Sequence, residues 1–543
     1  MGKGRWRELG MVILLPVSLL QAEEPDSRPF NAVQLIAPEQ ADRFYLHPVY
    51  RSAPRVGSEA GGDRLEGREQ NRIFYISDQG LDAAFRLEPI SVGLRATLRS
   101  EADYRRYGSD SNYWRQASGA GEVLLYGRAG AHALEGPDAS PLWATGGEDF
   151  RPAIVQWNVG HFFDRLDPEG LLFAGEVSGA RALFVLPLAS VRLRAGLAGN
   201  LMDRELRYKN AGASNHAAFY RAVFGIEGDA TSFGILYGFY RFGGRAQKPD
   251  LVLPGIPPTH VTVPIGQTAL PDHDVHYYGA RFGYDGDLFR GALLAALNHG
   301  REITVDDAGY RLAVGRRNIR GWMAYGSLGI AGGVERTPCA TAGLAGLACL
   351  RNGPVREWDL EAAALVSSRD REDGDDDLAG FGSPRPRPGV LGGQASILLS
   401  GPEPGRERAS FHNFQPGVTF ADLEGRSDRS EDRVRDNVDP APPDYGNEGL
   451  RMGSLRIGYS PYDWIVLDLY ANYADYLHGD GREGILAVRV PIALSYVRMA
   501  LLFSATGASY RSSLRVGDPL TGTSSRAPAR FYSRYLFGLQ IIL

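Results

Sequence analysis

The closing stretch Arg530 to Leu543 (RFYSRYLFGLQIIL) decides how the rest of the chain is read. Every second residue (Phe531, Ser533, Tyr535, Phe537, Leu539, Ile541, Leu543) is apolar or aromatic, with Ser533 the exception. The interleaved set, Tyr532, Arg534, Leu536, Gly538, Gln540 and Ile542, is mixed. A period of two is the strand period, because successive side chains on a strand leave opposite faces. Here the apolar face runs to the final residue. Such a last strand suits a sheet that rolls shut against its first strand and leaves no unpaired edge in hydrocarbon. Barrels of this kind commonly finish on Phe; Leu543 takes that place here.

The same division recurs upstream. From Ile90 the residues Val92, Leu94, Ala96 and Leu98 share one face, and Arg95 and Arg99 the other. Val191, Leu193, Ala195 and Leu197 oppose Arg192 and Arg194. Tyr278, Ala280, Phe282 and Tyr284 oppose Arg281, and Phe289 to Leu297 alternate around Arg290. Trp322 to Ile330 and Trp358 to Val366 repeat the pattern. Later, Leu455, Ile457 and Tyr459 flank Arg456, and Ile465 to Tyr473 alternate with Asp468 and Asn472. Leu486 to Leu494 enclose Arg489 and Pro491, and Val497 to Ala505 leave Arg498 opposite. A soluble sandwich does not bury Arg on strand after strand, whereas a membrane barrel with a watery bore does so at no cost. Aromatics gather near strand ends (Tyr237, Phe239, Tyr277, Tyr278, Tyr459, Tyr462, Trp464, Tyr473, Tyr476), as interface girdles would. Short connections at 187–190, 227–231, 285–287 and 460–463 read as periplasmic turns. Long ones near 101–116, 202–217, 244–274, 334–354, 422–449 and 508–528 read as outer loops. Counted forward and backward, residues 368–390 fall at opposite ends, so one strand is miscounted between about 334 and 450. The expected fold is all-β: a transmembrane antiparallel β-barrel of about 18 strands, range 16–20.

Residues 1–22 read as a secretory signal peptide. Lys3, Arg5 and Arg7 precede a short apolar run, Met11 to Leu20, and Leu20-Gln21-Ala22 suits cleavage. Residues 23–70, with Pro25, Pro29, Pro38, Pro48 and Pro54, read as a periplasmic leader or a segment inserted in the lumen, and 71–543 as the barrel. Together these place the chain in the bacterial outer membrane. The composition, with 68 Gly, 26 Tyr, 23 Phe and 43% hydrophobic residues, is too polar for a helical membrane protein; the mean hydropathy is −0.24. The formal charge of −5 falls to −7 once Lys3, Arg5, Arg7 and Glu8 leave with the signal. Lys occurs only at 3, 209 and 248, so nearly every cation is Arg. Arg binds carboxylate and phosphate through a planar fork, and an Arg-lined bore would favour anions. A GC-rich genome explains much of the Arg count, so position carries the argument. Cys339 and Cys349 flank a small-residue loop, CATAGLAGLAC, and are expected to form a disulfide in an exported protein.

No catalytic set emerges, and the chain reads as a non-enzyme. His273 and His276 beside Asp272 and Asp274 form the only local histidine cluster and read as a loop turn rather than a metal site. The acidic run Asp370, Glu372, Asp373, Asp375, Asp376, Asp377 reads as a solvated loop, with Ca²⁺ binding the alternative. No metal, no cofactor and no nucleic-acid segment is expected.

Two stretches resemble the alginate-export porins of Gram-negative outer membranes. Val155 to Phe184 (VQWNVGHFFDRLDPEGLLFAGEVSGARALF) holds Gly160-His161, a short loop and Ser178-Gly179-Ala180-Arg181. Gly449 to Tyr476 is strand, Ser460-Pro461-Tyr462-Asp463 turn and strand. The family's pattern has Arg after the glycine where this chain has His161. The resemblance implies an 18-stranded barrel passing an anionic polysaccharide or another anionic solute without energy input. The residues give the same expectation: a porin for anionic solutes, with Arg192, Arg194, Arg281, Arg290, Arg456, Arg489 and Arg498 lining the pore. Inward acids such as Asp468 could instead lock these residues into a structural network. The alternatives are a plugged surface barrel that binds extracellular polysaccharide or a protein partner, and a barrel enzyme. The expected partners are outer-membrane lipid and lipopolysaccharide, the barrel-assembly machinery through the last strand, and the anionic solute.

Overall fold

The computed structural model describes residues 44–62, 69–87, 90–107, 111–129, 154–188, 191–201, 215–228, 230–244, 272–286, 288–307, 312–332, 358–370, 377–384, 386, 388–400, 443, 445, 449–462, 465–476, 479–493, 498–512, 515–517, 524–526 and 530–542. The signal peptide, both cysteines and most of the acidic run lie outside these residues.

The first strands are β1 (Phe44–Gly62), β2 (Glu69–Leu87), β3 (Ile90–Tyr107), β4 (Ser111–Ala129), β5 (Ile154–Arg165), β6 (Ala174–Leu188) and β7 (Val191–Leu201). There follow β8 (Asn215–Glu227), β9 (Thr231–Gly244), β10 (Asp272–Asp285), β11 (Phe289–Asp307), β12 (Leu312–Gly332), β13 (Trp358–Ser367) and the two-residue β14 (Asp377–Leu378). The chain ends with β15 (Arg451–Tyr462), β16 (Ile465–Tyr476), β17 (Gly479–Ala493), β18 (Arg498–Ser512), a small hairpin of β19 (Arg515–Gly517) and β20 (Ser524–Arg526), and β21 (Arg530–Ile542). The main sheet holds 19 strands. β14 only lies parallel beside β12, so 18 form the wall. Neighbours in the wall pair antiparallel, and β1 pairs with both β2 and β21. The sheet therefore closes, and the strand read first from the sequence is the one that closes it.

The two faces separate by parity. Leu98, Leu197, Leu328 and Phe531 stand 64%, 64%, 68% and 70% exposed on the outside. Water would penalise that surface at ~25 cal/mol per Å², whereas hydrocarbon does not. The outer rows across β9 to β12 are well defined by the ladder. Phe233, Phe282, Leu293 and Gly326 form one row, and Ile235, Ala280, Ala295 and Ala324 the next. Above them come Tyr237, Tyr278, Leu297 and Trp322, then Phe239, His276, His299 and Arg320. The inner face mixes charged groups such as Arg194, Arg221 and Arg281 with large apolar and aromatic ones such as Leu236, Tyr240, Tyr277 and Met323.

Three sequence readings change. The wall begins before residue 71: Phe44–Gly62 lies between β2 and β21. Its prolines hide the alternation. The ladder to β21 steps from Ser52↔Ile541 to Arg55↔Gly538, so Pro54, with no N–H to donate, falls in the gap. Residues 101–107 and 111–116 are strand, not loop. Finally, β11 and β12 pair antiparallel down to Asp307↔Leu312 with only residues 308–311 between them, a connection the apolar pattern does not mark. The connection 333–357 therefore leaves from the end that holds 189–190, 229 and 287, and 368–450 spans the opposite end. This resolves the conflict in the strand count.

Candidate functional site

The bore is crossed by an insert made of two connections. The first is the β5–β6 turn. The Asp167 carboxylate accepts N–H bonds from Leu171, Leu172 and Phe173 at 2.6, 2.9 and 3.2 Å, and Gly170 at φ 68° lets the chain reverse. Leu171, Leu172 and Phe173 are fully buried. Burial first, and then the neighbouring Glu169 charge, push the Asp167 carboxyl up to about 6, against the three backbone donors. The second is part of the connection after β13. Ser383 Oγ donates to Leu171 O at 2.8 Å, and Gly389 N to Glu169 O at 2.9 Å, so the two pieces pack as one.

Both sides of the insert are tied to the wall. On the β10 side, Tyr277 Oη donates to Gly382 O at 2.8 Å and meets Tyr445 Oη at 2.7 Å. Phe381 packs edge-on to Tyr277 with ring centroids 6.2 Å apart. Across the bore, Ser396 caps the single helical turn Ile397–Ser400, accepting from Leu399 N at 3.0 Å. Glu483 of β17 accepts from Ile397 N at 2.8 Å and Leu398 N at 3.1 Å, and also from Ser396 Oγ. Thr506 of β18 donates to Ala395 O at 2.7 Å, and Arg534 of β21 to Ser396 O at 3.1 Å.

The Arg candidates divide accordingly. Arg281 is 5% exposed; its Nε and Nη2 reach Glu169 Oε1 of the insert at 3.0 and 2.9 Å. Arg194 is 2% exposed and bonds Glu227 at 3.1 Å. Arg290 and Arg456, each 23% exposed in the side chain, belong to a collar near the short-turn end. There Arg290 reaches Asp359 at 3.2 Å and Glu361 at 3.0 Å, and Arg456 reaches Asp468 at 2.7 Å. Arg192 and Arg489 are half-buried on the inner parity at the same end. Arg498 opens β18 opposite Ala493, and its side chain lies outside the described residues.

Parity also reaches residues that the sequence reading left out. Arg221, between outward Tyr220 and Ala222, joins Arg181 on Asp164, the latter pair at 3.2 Å. Its guanidinium lies 4.2 Å from the Phe173 ring centroid. Arg534 stood in the mixed set of the closing strand. Glu169 has no periodic signal because it sits in a turn. His273 and His276 are on a strand, not a loop. They face opposite sides: His273 bonds Glu302 at 2.7 Å inside, and His276 meets Tyr237 Oη at 2.8 Å outside. The two rings therefore cannot share a metal. Among the described residues no cluster suited to a metal is found. His161 takes the outward row of Val155 and Val159 and bonds Ser178 at 3.2 Å, away from the bore.

No family model and no curated protein matches the chain. Solved structures of similar form include OccK5 (OpdH) of Pseudomonas aeruginosa, with 11% identity, TM-score 0.37, 91% of this chain and 98% of that one. OpdK of the same organism, solved with vanillate, has 10% identity and TM-score 0.40 over 91% and 99% of the two chains. OccK11 (OpdR) has 12% identity and TM-score 0.39 over 91% and 96%. These three are OccK and Opd proteins, and none of them is an alginate-export porin.

Proposed function

We propose that this barrel conducts small carboxylated solutes passively across the outer membrane. The carrying observation is the bore itself: a closed wall with a charged collar at one end and an insert narrowing the passage. A passage narrowed in this way favours small molecules over a polysaccharide strand. A solute carboxylate entering the collar would meet the partly exposed guanidinium groups of Arg290 and Arg456, with Arg192 and Arg489 at the same end. Each fork would exchange Asp359, Glu361 or Asp468 for the solute at little net cost, as a selective but non-trapping channel requires. Arg194 and Arg281 serve the structure, since their carboxylate partners are buried with them.

The insert also supports a second reading, a plugged barrel that holds an extracellular partner. Swelling of liposomes containing the refolded protein separates the two. Entry of benzoate and other small monocarboxylates faster than neutral sugars of equal size supports the channel. No swelling with any solute, from protein shown to be folded, supports the plug and rejects the channel.

A further inference from the structure

The outer wall changes character within two rows across β9 to β12. Below lie Tyr237, Tyr278, Leu297 and Trp322; above lies a row of Arg241, Asp274, Arg301 and Asn318. Arg320 stands in the row between, and Arg316 one row higher, both exposed. Asp274 bonds Arg301 at 3.1 Å and stands 3.7 Å from Arg241; the two Arg side chains are 50% and 70% exposed. Asn318 donates to Asp377. The patch therefore sets the guanidinium groups of Arg241, Arg301, Arg316 and Arg320 against the carboxylates of Asp274 and Asp377, with Asp272 in the row of Arg316. Directly beneath, His276 stacks on Phe239 at 4.8 Å and takes part in the Tyr237 hydrogen bond, which fixes an aromatic shelf.

Height places this patch at a membrane surface. From Phe289 to Leu297 the outer face of β11 is apolar, and Arg301 lies four residues further. Twelve steps of ~3.4 Å, at a tilt of about 40°, put Arg301 roughly 30 Å above Phe289, just past an apolar band of ~25 Å. The patch is at the end that holds 202–214, 245–271, 368–450 and 513–529, together the greater length of connecting chain, which is read as the outer-leaflet side. A second feature adjoins it. The outer wall carries an apolar hollow of about 710 Å³, whose lining includes Ala182, Ala195, Leu197, Ala222, Tyr237 and Tyr278. Tyr237 and Tyr278 belong both to its lining and to the row beneath the cationic patch.

We propose that this face holds one phosphorylated lipid of the outer leaflet. Its headgroup phosphates would lie on Arg241, Arg301, Arg316 and Arg320, and one acyl chain in the hollow. Forked guanidinium groups match phosphate oxygens, and a site at the hydrocarbon boundary keeps both the charge and the chain satisfied. The inference rests on the outer-membrane reading.

The test is native mass spectrometry of the full chain refolded in detergent, titrated with bis-phosphorylated lipid A, with the same lipid A after phosphatase treatment, and with inorganic phosphate. One retained equivalent of the phosphorylated lipid is expected, with the dephosphorylated form bound at least about tenfold more weakly. Arg241→Glu/Arg301→Glu should lose a similar factor, and Ala222→Trp, which fills the hollow and leaves the charges alone, should also weaken retention. Millimolar inorganic phosphate should not displace the lipid. Equal retention of both lipids, or unchanged retention by both variants in barrels that still migrate as folded, overturns the inference. So does displacement by phosphate alone, which would mark a free-anion site. A chain that stays dissolved without detergent overturns the outer-membrane reading and this inference with it, whereas a folded barrel without lipid preference overturns only the inference.

Discussion

Arg281 points into the bore, yet its charge is already committed. Its partner Glu169 is as buried as itself, at 5% exposure each, so neither can be removed alone without stranding the other. Arg281→Gln is expected to cost about 3–5 kcal/mol, and the double variant with Glu169→Gln to recover most of it. Urea-unfolding midpoints of single and double variants in lipid vesicles check this coupling. Arg290 and Arg456 differ because solvent reaches them. Arg290→Gln or Arg456→Gln should cost less than Arg281→Gln, on the order of 1–2 kcal/mol, while lowering anion preference, measured as the reversal potential in a salt gradient. Parity in the sequence placed these side chains on the inner face. It also singled out Asp468, which pairs with Arg456, but not Glu169, which comes from a turn, nor Asp359 and Glu361, from a strand far along the chain.

At the scale of elements, the insert crosses the bore, and in the proposed channel it sets the width of the passage. Its weak point is the β17 side, where Glu483 holds the N–H groups of Ile397 and Leu398. Glu483→Ala leaves these buried donors without that acceptor, at about 1–3 kcal/mol each, and should free that side of the insert with the wall intact. Single-channel recordings should then show a severalfold larger and noisier conductance. The Asp167 turn gives a pH dependence. Its carboxyl titrates near 6 in the folded turn and near 3.8 when released. Below 3.8 the group is neutral in both states and costs nothing. Between 3.8 and 6 the released turn loses its proton first, so local stability falls as pH rises, by about 3 kcal/mol in all. Hydrogen exchange at Leu171 to Phe173, corrected for intrinsic rates, should show greater protection at pH 4 than at pH 7, and Asp167→Asn should remove the difference. None of this was legible from periodicity. Residues 368–450 carry no alternating pattern, and only the three-dimensional arrangement shows that part of this connection returns into the bore.

For the whole molecule, the alternation of the last strand proved a reliable guide because membrane and water impose the same period on every wall strand. The expected count of 18 agrees with the wall, although two of its connections were assigned to the wrong end or missed. Hairpins such as 308–311 carry no long polar stretch, so composition alone could not mark them. Pro491, expected to break a ladder, sits beyond the last β16–β17 pair, Val466↔Arg489, and stays opposite Ala500 of β18. It therefore costs the sheet little. The first strand was hidden by its prolines, yet closure depends on it as much as on β21. The proposed channel moves solute through this closed wall past a collar of paired Arg and carboxylate groups. Single-channel recording of the refolded chain in a planar bilayer under a KCl gradient tests that claim directly. Stable ohmic steps with a reversal potential favouring chloride are predicted. Folded protein that gives no steps, or steps that favour potassium, would contradict it.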